Sequence, residues 1–163
     1  MENSVPHRAR KRFGQHFLHD SGVVRRIVDH LELNPEEILC EIGPGRGALS
    51  DRLVETGNPL HLIEIDRDLV PTLVDRYSAS PQVNVHEQDA LRLDLGTLNP
   101  DSKMVLVGNL PYNISTALLI HLLSQSKQVS RMVFMVQKEV GDRLSAQSGN
   151  KSYGRLTGMM SRG

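Results

Sequence analysis

The sequence predicts an α/β fold in which a mostly parallel sheet is flanked by helices, and three observations predict it. Short β-branched apolar runs alternate with longer helical patterns, as they do where parallel strands are joined by crossover helices. One of those runs feeds a glycine-rich turn that opens directly into a helix. At 163 residues and 39% hydrophobic, the chain is sized for one domain. Its core is expected to be Leu, Val, Ile and Met, because only three Phe and three Tyr are present and Trp is absent.

Five runs have the length and composition of buried strands: 38–42, 60–65, 83–86, 104–108 and 131–137. Between the first two, a helix over 47–55 puts Ala48, Leu49 and Leu53 on one face, and Gly57 supplies its stop. The next crossover, 67–77, groups Leu69, Val70, Leu73 and Val74, and it tolerates Pro71 in its first turn. A third helix over 115–123 has Ser115 as N-cap and Leu118, Leu119, Leu122 and Leu123 as its buried stripe. A fourth is expected over 138–146, and the polar stretch 145–152 reads as a loop. Right-handed crossovers bring the C-terminal ends of all the strands to one edge, where open α/β sheets bind ligands.

Formal charge balances to zero, but it is segregated. Residues 1–26 hold six basic residues (Arg8, Arg10, Lys11, Arg12, Arg25, Arg26) against Glu2 and Asp20, so they carry +4 and the remainder −4. The expected organisation is a basic N-terminal arm with the start of a first helix over 1–26, then the sheet domain over 27–163. No signal-peptide core is present in that arm, and no run reaches the ~18 apolar residues needed to span a bilayer. A lone cysteine, Cys40, excludes an intrachain disulfide, a four-cysteine zinc site and a CxxC pair, which fits a reducing, cytoplasmic location. The spacing of His7, His19, His30, His61, His86 and His121 suggests no metal site.

The strongest local motif is Glu41-Ile42-Gly43-Pro44-Gly45-Arg46-Gly47-Ala48. Gly43, Gly45 and Ala48 satisfy G-x-G-x-x-G/A, whose glycines allow a sharp turn and close ligand approach while the small third position lets the helix pack on the sheet. Glu64 follows Gly43 by 21 positions, close to the ~20 at which an acid binds ribose hydroxyls. The pair implies an adenosine-containing cofactor, either a nicotinamide dinucleotide or S-adenosylmethionine. Asp89 closes the third strand at the same edge, where it could accept from an adenine amino group or simply cap a turn.

Asn109-Leu110-Pro111-Tyr112 follows the fourth strand and separates the cofactor readings, since a dehydrogenase has no use for it. It suits methyl transfer to an exocyclic amine whose lone pair is delocalised into a ring. Such a nitrogen becomes nucleophilic when acceptors engage its hydrogens. The Asn109 side-chain oxygen and the Leu110 carbonyl are the natural acceptors, held by the restraint Pro111 places on both residues. Tyr112 would stack on the base, an interaction of roughly 1–3 kcal/mol. The basic residues Arg8, Arg10, Lys11 and Arg12 read as a phosphate-contacting arm or as a solvated terminus.

These residues resemble the ribosomal RNA adenine dimethyltransferases, the kasugamycin-sensitivity methyltransferase family. The resemblance is carried by Arg10-Lys11-Arg12-Phe13-Gly14-Gln15-His16-Phe17-Leu18, Glu41-Ile42-Gly43-Pro44-Gly45, Glu64-Ile65-Asp66, Gln88-Asp89-Ala90, Gly108-Asn109-Leu110-Pro111-Tyr112-Asn113-Ile114-Ser115, Gln137-Lys138-Glu139-Val140 and Tyr153-Gly154-Arg155-Leu156. It implies a Rossmann-like S-adenosylmethionine-dependent methyltransferase domain acting on two adjacent adenines of small-subunit ribosomal RNA. It also implies cofactor contacts from His16, Leu18, Gly43, Gly45, Glu64, Asp89 and Asn109. His16 stands where the family usually has Asn. An RNA-binding or ribosome-assembly module of the same fold without turnover is the alternative, and a nicotinamide-dependent dehydrogenase is a more distant one.

Members of that family continue past 153–156 into two more strands and a helical RNA-binding domain. The sequence reading therefore expects the last strands to be missing and the end 158–163 to be frayed. It also expects 131–137 to be left as an exposed apolar edge through which copies of the chain could associate.

Overall fold

The computed structural model describes residues 21–111, 113–137 and 156–161. Helix α1 (Ser21–Leu31) precedes β1 (Ile38–Ile42), and α2 (Ala48–Glu55) leads into β2 (Leu60–Glu64). Helix α3 (Leu69–Arg76) then leads to β3 (Val83–Glu87). A 3-10 turn (Ala90–Arg92) and the short α4 (Leu95–Leu98) precede β4 (Met104–Asn109), and α5 (Ser115–Leu123) precedes β5 (Val129–Gln137) and β6 (Leu156–Ser161). All pairings are parallel, in the order β3-β2-β1-β4-β5-β6.

Near-continuous apolar runs form these strands because both faces of the sheet are covered. On one face Cys40, Ile42, Ile63, Leu106, Met132 and Phe134 pack with Leu118, Leu119 and Leu122 of α5. On the other, Leu39, Leu62, Val105, Val107 and Val133 pack with Val24, Ile27 and Leu31 of α1, Leu49 and Leu53 of α2, and Leu73 of α3. The position 26/27, expected as a boundary, falls inside α1, whose apolar face joins this core. Burial pushes the Cys40 thiol up to about 12, consistent with a small apolar core residue. No helix among the described residues is long and apolar enough to cross a membrane.

Several expectations are corrected. Residues 131–137 are not a sheet edge: β5 is paired on both sides, and 158–161, part of the end expected to fray, belongs to β6 (Leu156–Ser161), with Val133 opposite Thr157 and Val136 opposite Met160. One of the strands expected to be missing is thus present, and the physical reason is the row of β5 backbone groups, whose Met132, Val133, Phe134, Met135 and Val136 are buried on both faces. Their N–H and C=O groups need a partner that the neighbouring strand supplies. Self-association through β5 therefore loses its basis. Ser115 is likewise not an N-cap: Ile114 holds that position, and Ser115 is the first helical residue, fully buried, its N–H donating to Pro111 O at 3.1 Å. The helix expected over 138–146 and the loop over 145–152 lie outside the described residues.

The opposite end of the sheet is tied by one charged cluster. Arg131, in β5, donates to both oxygens of Glu37 at 2.9 and 2.5 Å and to Leu31 O at the end of α1 at 2.7 Å. Buried Asn58 donates to Asn34 O and Glu37 O, each at 2.8 Å. The Arg131 bond holds the Glu37 carboxyl below its ordinary range. That contribution to stability is present above the unfolded carboxylate value and is lost as pH falls through the lowered one. Arg131→Met is expected to cost roughly 1.5–3 kcal/mol, the worth of charge-assisted bonds, and to flatten the acid limb of stability below pH 5. Urea melts across pH 3–7 check this, and a variant with the parent's acid limb rules it out.

Candidate functional site

Strand register brings the motif residues to one rim. Ile42 lies opposite Ile63 on one side and Gly108 on the other, while Glu64 lies opposite Glu87 and Asn109 opposite Met135. Backbone bonds carry the alignment beyond the strands: Gly43 N–H to Ile63 O at 2.9 Å, Gln88 N–H to Glu64 O at 2.9 Å, and Leu110 N–H to Met135 O at 2.9 Å. The strand order reverses at β1, and the glycine loop leaves its C-terminal end beside the chain leaving β4. In open α/β sheets this crevice is the ligand position.

Gly43, Gly45 and Gly47 all have positive φ, at 69°, 59° and 92°, a region L side chains rarely enter. Their reasons differ. A Cβ added at Gly43 or Gly45 would meet nothing among the described residues within 4 Å, so these two hold a cradle open on its outer side. At Gly47 a Cβ would lie 2.5 Å from the Tyr77 hydroxyl, so this glycine answers to packing. Tyr77 donates to Asp51 Oδ1 at 2.8 Å, and Arg76 grips both oxygens of Asp51. The turn into α2 is thereby fastened to the end of α3.

Glu64, only 6% exposed at the end of β2, closes the cradle from the other side. Its Oε1 accepts from Gly45 N–H and its Oε2 from Asp66 N–H, both at 3.0 Å. It is therefore no helix cap, and each carboxylate oxygen retains a lone pair for a further donor. Asp89 does cap: its side chain accepts from Leu91 N–H at 3.0 Å and starts the 3-10 turn. That bond fixes the carboxylate on the rim one residue past Gln88.

Asn109 is the last residue of β4 and is half-buried. The segment that follows is anchored at both ends, by the Leu110 N–H bond to β5 and by the Pro111 carbonyl, which accepts from Ile114 and Ser115 N–H at 3.3 and 3.1 Å. Leu110 buries its side chain in the core, so its backbone stays at the rim. His16, Leu18, Tyr112 and the basic residues Arg8, Arg10, Lys11 and Arg12 lie outside the described residues. Among the described residues no three His, Cys, Asp or Glu converge as metal ligands, and His61 and His86 bond each other at 2.9 Å.

Three features escaped sequence reasoning. Ile65, between Glu64 and Asp66, is 64% exposed and offers an apolar surface at the rim. An exposed isoleucine directly after a buried strand acid was the available signal. Gly108 is required by the β1–β4 joint, since a Cβ there would stand 2.5 Å from Ile42 O. Gly108→Ala is expected to destabilise by about 1–3 kcal/mol, as overpacking does. A urea midpoint equal to the parent's would show the joint to be slack. The third is Glu41, an acid inside the apolar run of β1, buried and accepting from Ser50 Oγ at 2.5 Å.

Comparison with known proteins decides the family. The model of the family described as ribosomal RNA adenine dimethylase matches residues 6–161. The chain belongs to that family. It is 50% identical over 156 residues to ribosomal RNA small subunit methyltransferase A of Marinobacter nauticus, covering 96% of this chain and 56% of the relative. To the protein of the same name from a Marinomonas species it is 49% identical over 160 residues, covering 98% and 60%. The chain thus spans a little over half the length of the curated relatives it matches. Among solved structures, the 23S rRNA methyltransferase ErmE superposes with a TM-score of 0.67 at 28% identity, covering 82% of this chain and 52% of that one. A dimethyladenosine transferase from Plasmodium falciparum gives 0.65 at 28% identity, covering 85% and 49%. The Rossmann-like methyltransferase fold expected from the sequence is the fold observed.

Proposed function

We propose that the chain is the catalytic part of an S-adenosylmethionine-dependent enzyme that dimethylates two adjacent adenines of small-subunit ribosomal RNA at the exocyclic amine during ribosome biogenesis in the cytoplasm. One observation carries the cofactor assignment: two glycine positions that open onto empty space, in a loop whose N–H is held by a strand-end carboxylate with lone pairs to spare. Family membership supports the substrate class.

In this reading Gly43 and Gly45 admit the cofactor to the loop backbone, and Glu64 accepts from the ribose hydroxyls. Ile65 would offer the adenine an apolar surface and Asp89 would accept from its amino group; His16 and Leu18 are assigned to the cofactor by the family resemblance alone. When bound, S-adenosylmethionine supplies an electrophilic methyl on a sulfonium. Asn109 and the Leu110 carbonyl accept the hydrogens of the target amine, Pro111 keeps them rigid, and Tyr112 stacks on the base. Direct displacement needs alignment more than a general base, so the residues act by orientation. Arg8, Arg10, Lys11 and Arg12 contact phosphates, and residues 1–26 serve as the arm of the 27–163 domain. The target must be unstacked, which favours RNA loops over duplex.

Calorimetry with this chain tests the cofactor, and radiolabelled methyl incorporation into immature small subunits tests the reaction. Tighter binding of a nicotinamide dinucleotide than of S-adenosylmethionine would defeat the assignment.

A further inference from the structure

An ionisable group sits beneath the candidate loop with no counter-charge among the described residues. Glu41 is 1% exposed and next to last in β1, on the sheet face covered by α1, α2 and α3. Its Oε1 accepts from Ser50 Oγ, in the first turn of α2. The groups that act on it electrostatically are Glu64 on β2 and Asp51 on α2, both acids. Asp51 is already engaged by Arg76 and Tyr77 of α3. On β4 the residue directly opposite is Val107, and on β2 it is Leu62, so neither opposing position is charged. Burial first, and then these like charges, push the Glu41 carboxyl up to about 8, so at neutral pH it holds its proton.

Glu64, whose charge acts on Glu41, is also the residue that grips Gly45 at the cradle. A ligand seated against Glu64 and Gly45 is therefore within reach of Glu41's field, through a medium that screens poorly. S-adenosylmethionine carries a sulfonium and an ammonium against one carboxylate, hence one net positive charge. The product left after methyl transfer, S-adenosylhomocysteine, lacks the sulfonium.

We propose that Glu41 is a positioning acid that surrenders its proton when the cationic cofactor arrives and recovers it when the methyl has left. This rests on the cofactor assignment made above. Entry of a cation favours the carboxylate, so binding and deprotonation promote each other. The proton passes to solvent, Ser50 keeps its bond to the carboxylate, and the buried negative charge then opposes the sulfonium. After transfer the sulfonium is gone, Glu41 takes a proton back, and the hold on the product weakens. The fold thereby distinguishes cofactor from product by charge, although both share the adenosine that Glu64 reads.

The test is calorimetry of this chain with S-adenosylmethionine and with S-adenosylhomocysteine, in buffers of different ionisation enthalpy, between pH 6 and 9. The parent is expected to release a proton on binding S-adenosylmethionine at pH 7 and to release less with S-adenosylhomocysteine. Its S-adenosylmethionine affinity should rise by about three- to tenfold per pH unit up to about pH 8 and level off above it. Glu41→Gln should release no proton, and its affinity should be level across the range. Ser50→Ala removes a donor to the carboxylate, so it should move the levelling point to higher pH.

A second readout needs no ligand. A raised carboxyl value means that the parent loses stability as pH climbs from the unfolded value through about 8, so the melting-temperature advantage of Glu41→Gln should grow over that interval. Proton release equal in parent and Glu41→Gln, or absent from the parent, overturns the proposal while leaving the cofactor assignment standing. No binding of S-adenosylmethionine at all overturns both.

Discussion

Replacing Glu64 with alanine should lower S-adenosylmethionine affinity by about 10- to 150-fold, the equivalent of the roughly 1.5–3 kcal/mol carried by hydrogen bonds to a charged group. The loss has two sources. One is the bond to the ribose. The other is the loop itself, because the same carboxylate accepts from Gly45 N–H and Asp66 N–H and so holds the cradle in its binding shape before any ligand arrives. Glu64→Gln separates them: an amide keeps one acceptor oxygen, so it should retain more affinity than alanine. Calorimetry showing alanine equal to the parent would remove Glu64 from the site.

Asn109→Ala is expected to reduce methyl transfer at least about a hundredfold, as loss of a group that aligns the reacting nitrogen does. Cofactor affinity should fall far less, and the fold should survive. Asn109 ends β4, and its neighbours are fixed without its side chain, by the Leu110 N–H bond to Met135 O and by the Pro111 carbonyl in the first turn of α5. Single-turnover transfer at the parent rate would show that the amine is held by something else.

The sheet was legible because a doubly covered parallel strand writes itself as an apolar run, and 38–42 coincides with β1 to the residue. The crossover α2 was legible from its apolar face and from Gly57, which closes it with φ of 79°. Short elements were not: the turn at Ala90–Arg92 and α4 are too brief for periodicity and are set by Asp89 and Asp94 accepting from Leu91 and Gly96 N–H. Strand β6 escaped because Leu156-Thr157-Gly158-Met159-Met160-Ser161 is a poor strand by composition, and its state is set by the β5 edge it meets.

At the site, Glu64, Asp89 and Asn109 were legible because topology alone sends strand ends to one rim. Where each carboxylate spends its hydrogen bonds was not. Neither was the support behind the loop, since nothing in the local pattern says that Tyr77 will lie over Gly47 or that Ser50 will reach Glu41.

The position of β1 also fixes a temporal order. Its partner on one side, β2, begins at Leu60, but the other, β4, begins at Met104, paired with Ile38. A chain emerging from its own synthesis can zip β1, β2 and β3 early, yet must leave one flank of β1 unmatched while more than sixty residues are added. Loop-closure entropy rises only slowly with that length, so the delay is a matter of waiting and not of a steep barrier. During the wait Ile38, Cys40 and Ile42 show one face without the Leu106 and α5 residues that later cover it. The same strand that shapes the ligand crevice is thus the one most in need of shelter while the protein is being made.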